Sequence, residues 1–156
     1  MKFKFYLRLC SHFLVAAIAA FILASLFHSQ FVMAELTSVG VNISFNDRLS
    51  MSLDDLIGLY PTYGVVIAIS LLLGFSVAAL LLKRFTIPST ILYFTAGGCG
   101  VATALVAMHP LLDITFIAGA RSTLGFVSQC FAGAMGGLFY ANIRRLNQKN
   151  QPEVNG

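Results

Sequence analysis

Four stretches without a charged residue decide what this chain can become: 9–34, 63–82, 86–108 and 122–143, each 20 to 26 residues long. A helix rising ~1.5 Å per residue needs roughly 20 residues to cross a ~30 Å hydrocarbon layer, so all four are long enough. Only 10% of the 156 residues are charged and 58% are hydrophobic. A soluble domain carries roughly 25% charged residues. Too little polar surface is left to cover such a chain in water, so lipid must be the solvent for much of it. The pattern predicts an all-α membrane protein: one polytopic domain over 1–146 built as a four-helix transmembrane bundle. The polar stretch 147–156, with Pro152 and no apolar period, reads as a disordered tail.

Prolines mark the ends of the apolar stretches. Pro61 precedes the second, Pro88 suits the first turn of the third, and Pro110 closes it. Charge sets the expected orientation. Lys2, Lys4, Arg8, Lys83, Arg84, Arg144, Arg145 and Lys149, eight of the ten basic residues, fall on one side of the four spans. The positive-inside rule makes that side cytoplasmic. The expectation is a multi-pass protein of the bacterial inner membrane with both termini in the cytoplasm. The net charge of +4 does not indicate nucleic-acid binding, because the basic residues border apolar runs and suit lipid headgroups instead. The N-terminus has two readings. It is either a signal anchor, or a signal peptide with Val32-Met33-Ala34 as the cleavage motif; the length of the apolar run favours the anchor.

The loop 35–62 is the longest extramembrane segment. Val39, Val41, Ile43 and Phe45 alternate with polar or small residues, as do Leu49, Met51 and Leu53, on either side of Asn46-Asp47-Arg48. Period-two alternation about a polar turn predicts a small periplasmic β-hairpin, followed by a short helix through Tyr60 capped by Ser52 or Asp54.

Steps of 100° per residue divide the helices into small and large faces. On the last, Ser122, Gly125, Gln129, Ala132, Gly133, Gly136 and Tyr140 share a face opposite Leu124, Val127 and Phe131, and Gly133 with Gly137 forms a GxxxG. Tyr93, Ala96, Gly100, Thr103, Ala104 and Ala107 line the third; Ser70, Gly74 and Ala78 the second; Ala16, Ala20 and Ala24 the first, with His28 near their line. Small residues let backbones approach, so these faces, with Gly74, Gly100, Gly125, Gly133, Gly136 and Gly137 at their centres, are expected to pack the bundle or meet a partner or a second copy.

Few residues suggest chemistry. Arg121 stands at the expected outer boundary, where it can anchor in headgroups, pair with Asp113, Asp54 or Asp55, or bind an anion. Gln129 is the one strongly polar side chain deep in a span, and it should bond to a neighbouring helix or meet a substrate. His28 and His109 end their helices on the same side. Two such histidines can hold a haem, but no second pair repeats them, so no cofactor is expected. Cys10, Cys99 and Cys130 are too far apart in sequence for a metal motif and read as packing residues. No catalytic constellation is present. The expectation is a non-catalytic accessory or assembly component whose partners are the bilayer and another membrane protein. The alternatives are a small transporter or channel for an anionic solute, using Arg121 and Gln129, and then a membrane enzyme acting on lipid or quinone.

Overall fold

The computed structural model describes residues 2–112 and 122–149. Its first helix, α1, runs Lys2–Ser38 and ends in a Schellman motif: Gly40 N–H donates to the Thr37 carbonyl and Val41 N–H to the Leu36 carbonyl. Gly40 supplies the left-handed backbone (φ +92°) that this closure requires. After a short connection, α2 (Phe45–Leu59) runs through a π-helical turn (Tyr60–Gly64) into α3 (Val65–Leu81). Helix α4 spans Ser89–Leu112 and α5 spans Thr123–Lys149. Four helical segments are long and apolar enough to cross a membrane: α1, the continuous run α2 to α3, α4 and α5.

The expected β-hairpin is not formed; no strand occurs among the described residues. Ser44 rather than Ser52 or Asp54 starts the helix of this region. Its hydroxyl accepts from Asp47 N–H, and the Asp47 carboxylate accepts in return from the Ser44 N–H (3.2 Å). This capping box turns Asn46-Asp47-Arg48 into a first helical turn. The alternation was ambiguous because Phe45, Leu49, Leu53 and Ile57 also recur at four-residue spacing, which helix satisfies over a longer run.

Proline placement also differs from expectation. Pro61 sits inside the helical run, in the wide π turn, where its missing N–H and its ring are accommodated. Pro88 precedes α4 and offers its carbonyl to Leu92 N–H (3.2 Å). Helix α4 does not stop at Pro110 but ends two residues later, at Leu112.

Around the bundle the order is α3, α4, α5, α1. Helix α4 packs most extensively on α5, α5 on α1, and α3 on α4. Backbone-to-backbone contact explains the small faces. A Cβ on Gly74 would come within 2.5 Å of the Ala96 carbonyl oxygen, and one on Gly100 within 2.7 Å of that of Ser70. Gly133 meets the Gly97 carbonyl, Gly137 meets that of Tyr93, and Gly136 faces Ala20 and Ala16. Leu124 and Val127, on the opposite face of α5, stay exposed to the apolar solvent.

Candidate functional site

The bundle's uncharged interior carries a polar node where three helices meet. The Tyr63 hydroxyl, in the π turn, donates to Gln129 Oε1 at 2.6 Å, and Gln129 Nε2 donates to the Ala24 carbonyl at 3.1 Å. Gln129 is fully buried and Tyr63 nearly so. The π turn rotates Tyr63 inward toward α5, while Phe21 of α1 lies edge-on to both Tyr60 and Tyr63. One residue of α5 thereby ties α1 to the α2–α3 run.

A second polar contact lies farther along α1, towards the α1–α2 loop. The Ser29 hydroxyl donates to Asp55 Oδ2 of α2 at 2.7 Å and also faces the Ser25 carbonyl. His28 is buried beside it, within the field of Asp55. The Ser25 hydroxyl is buried without a hydrogen-bond partner.

A third polar contact lies at the end that holds the start of α1 and the end of α5. Arg144 Nη1 donates to the buried Tyr93 hydroxyl at 2.8 Å. Beneath it, Phe75 and Tyr140 stack at 4.7 Å, and Tyr93 meets Tyr140 edge-on at 4.9 Å. His12 contacts Asn147 across the α1–α5 seam.

These positions bring together only part of the set suggested by the sequence. Gln129 and His28 lie in the interior, one on each of the first two polar contacts. Arg121 and Asp113 fall outside the described residues, and of His109 only the backbone, within α4, is described. Gly74, Gly100, Gly133, Gly136 and Gly137 stand at close helix crossings. Gly125 is buried in the first turn of α5, and its N–H is capped by the Ser122 hydroxyl at 3.0 Å. Cys10 and Cys99 are exposed rather than packed inside, because each lies on an outward arc of its helix. No group of three metal-ligating side chains occurs among the described residues.

Sequence reasoning passed over Ser25, Ser29 and Tyr63. Ser25 and Ser29 stand one turn apart beside the Ala16–Ala20–Ala24 line, a polar pair on an otherwise apolar face, and that pairing was the available signal. Tyr63 gives a weaker signal, since Pro61 two residues before it reads as a helix start and so puts the tyrosine at the membrane boundary.

The α3–α4 crossing leaves an outward-facing apolar groove of about 560 Å³, lined by Gly74, Cys99, Gly100, Thr103 and Ala107. Compared with known proteins, the chain matches no family model, no curated protein and no solved structure.

Proposed function

We propose that the protein is a non-catalytic component of a bacterial inner-membrane assembly, with both termini cytoplasmic, whose α1–α2 hairpin seats a partner protein on the outer side. One observation carries this reading: the exposed apolar stripe of α2. Phe45, Leu49, Leu53 and Ile57 recur every four residues and remain 79%, 55%, 53% and 76% exposed. With Gln129 level with Ala24, Thr123 comes level with about residue 30 of α1, so the end of α1 rises ~12 Å beyond the start of α5. Helix α2, rich in Asp, Asn and Ser, stands against that extension. An apolar stripe on such a polar helix is the anchor pattern of helix-in-groove recognition.

The border of the stripe selects the partner. Ser50, Asp54 and Asp47 flank its open side and are exposed. A second copy would bring these carboxylates together, whereas a helix with Lys or Arg beside its apolar face complements them. Both polar ends of Gln129, the side chain a solute path would use, are engaged inside the bundle, which further supports an assembly role. Helix α1 supplies Ala16, Ala20 and Ala24 to the core, so residues 1–34 are retained as an anchor in this reading.

The test is a photo-crosslinking amino acid at Leu53 or Ile57 in the full chain, in native membranes, with lipid-facing Leu72 as control. One discrete protein adduct at α2, abolished by Leu49→Arg in a variant that still purifies as a monodisperse species, is expected. Adducts to lipid only, or to a second copy only, would refute the reading.

A further inference from the structure

The third polar contact gathers positive charge. Arg144 is the first charged residue of α5 after a 21-residue uncharged run within that helix, so its guanidinium sits where hydrocarbon gives way to headgroups. It is half-buried and held in place, one N–H on the Tyr93 hydroxyl and the Tyr140 hydroxyl beside it. A guanidinium has five N–H donors in a planar fork, so most of them are unspent on Tyr93. Across the seam, Arg8 and His12 lie one turn apart on α1, and the charges of both Arg8 and Arg144 reach His12. Asn147, one turn beyond Arg144, contacts the His12 ring and so ties the two helices together at this point.

Nothing in the surrounding helices neutralises this charge. Helices α3, α4 and α5 contain no Asp or Glu, and the first carboxylate of α1 is Glu35. Glu35 is 23 residues past His12, about 35 Å along the helix. A half-buried arginine is costly unless it reaches the headgroups or pairs with an anion. Arg144 instead gives its bond to a neutral phenol, which fixes the direction of the fork without cancelling its charge. A fixed planar fork, with the charge of Arg8 also reaching the neighbouring His12, matches the oxygens of a phosphate.

We propose that Arg144, Arg8 and His12 form a phosphate-binding site between α1 and α5, which takes the phosphate of an anionic phospholipid headgroup. Val15 and Ile22, exposed on the same arc of α1 as Arg8, leave room for the acyl chains.

The experiment uses the full chain, delipidated in a neutral detergent, with the midpoint of thermal aggregation as readout. It is titrated separately with dioleoylphosphatidylglycerol, dioleoylphosphatidylcholine and sodium phosphate against sodium chloride of equal ionic strength. Phosphatidylglycerol is expected to raise the midpoint of the wild type. Arg144→Gln should need roughly tenfold more of it, the effect of losing a charge-assisted bond. Tyr93→Phe keeps the charge but frees the fork and should cost about threefold, the value of one membrane hydrogen bond. If Arg144→Gln does not fold, exposed Arg8→Gln carries the same test. An equal response to inorganic phosphate would support the phosphate chemistry with a soluble source in place of a lipid.

Three results overturn the proposal. One is an identical phosphatidylglycerol response in wild type, Arg144→Gln and Arg8→Gln. Another is an equal loss in Lys83→Gln/Arg84→Gln, at the α3–α4 connection, which would mean that general surface charge is being read. The third is a fall in the lipid-free midpoint of Glu153→Gln together with a phosphatidylglycerol response in that variant and none in the wild type, which would make the tail's own carboxylate the occupant.

Discussion

Replacing Gln129 with leucine tests whether one buried amide locks three helices. The substitution keeps a similar volume and removes two interhelical bonds, to Tyr63 at 2.6 Å and to the Ala24 carbonyl at 3.1 Å. Interhelical bonds in membranes average ~0.6 kcal/mol each, so their loss alone costs about 1.2 kcal/mol. The Tyr63 hydroxyl is then buried without an acceptor, which raises the total to roughly 2–4 kcal/mol. Tyr63→Phe removes the same bond from the other side and orphans Gln129 Oε1. The double variant leaves neither group stranded, so it should be more stable than the sum of the single costs implies, with a coupling of about 1 kcal/mol. Reversible unfolding in mixed micelles with increasing dodecyl sulfate measures all four corners of the cycle. Additivity to within about 0.3 kcal/mol would refute the lock, because distant, independent sites behave that way.

Further outcomes follow from single positions. Gly137→Ala should lower stability by about 1–3 kcal/mol in the same unfolding assay, since its Cβ would enter the Tyr93 carbonyl across the α4–α5 crossing. Gly58→Ala meets nothing within 4 Å on α2 and should be neutral or stabilising by up to about 1 kcal/mol. Asp47→Ala breaks the capping box and should cost α2 about 1 kcal/mol, seen as faster hydrogen exchange over 45–59 with α4 and α5 unchanged. Ser25→Ala deletes a buried hydroxyl that has no partner, and a midpoint equal to or above that of the wild type is expected.

Legibility followed the length and strength of each signal. The four spans were visible because 20 or more uncharged residues have one interpretation in lipid. The small-residue faces were visible because 100° steps collect Gly133, Gly136 and Gln129 on one side of α5. Residues 35–62 misled because six or seven alternating residues fit strand and helix alike. What separated the two was the Ser44–Asp47 capping box, which is short-range chemistry overlooked beside a turn-like Asn46-Asp47-Arg48. The polar contacts were only half legible. The depth of Gln129 could be counted along one helix, but its partners lie 66 and 105 residues away in sequence. Arg144 looked like a topology signal because no one-helix pattern reveals its bond to Tyr93, 51 residues away.

The polar contacts also bear on how the hairpin would act as the proposed docking element without loosening the bundle. Asp55 is held to Ser29 on the far side of the π turn from the core, and Tyr63 is held to Gln129 within it. A partner pulling on α2 therefore strains the Ser29–Asp55 bond first, and only beyond the turn does the load reach the Tyr63–Gln129 node. A π turn around Pro61 already lacks one helical hydrogen bond, so bending there costs less than bending elsewhere in the run. The core below it is fixed by glycine-backed backbone contacts that have no slack. Ser29→Ala should therefore loosen the proposed partner contact and speed hydrogen exchange in α2 while leaving the stability of the bundle within about 0.5 kcal/mol of wild type. A collapse of the whole bundle in Ser29→Ala would instead show that hairpin and core form one cooperative unit, with no hinge between them.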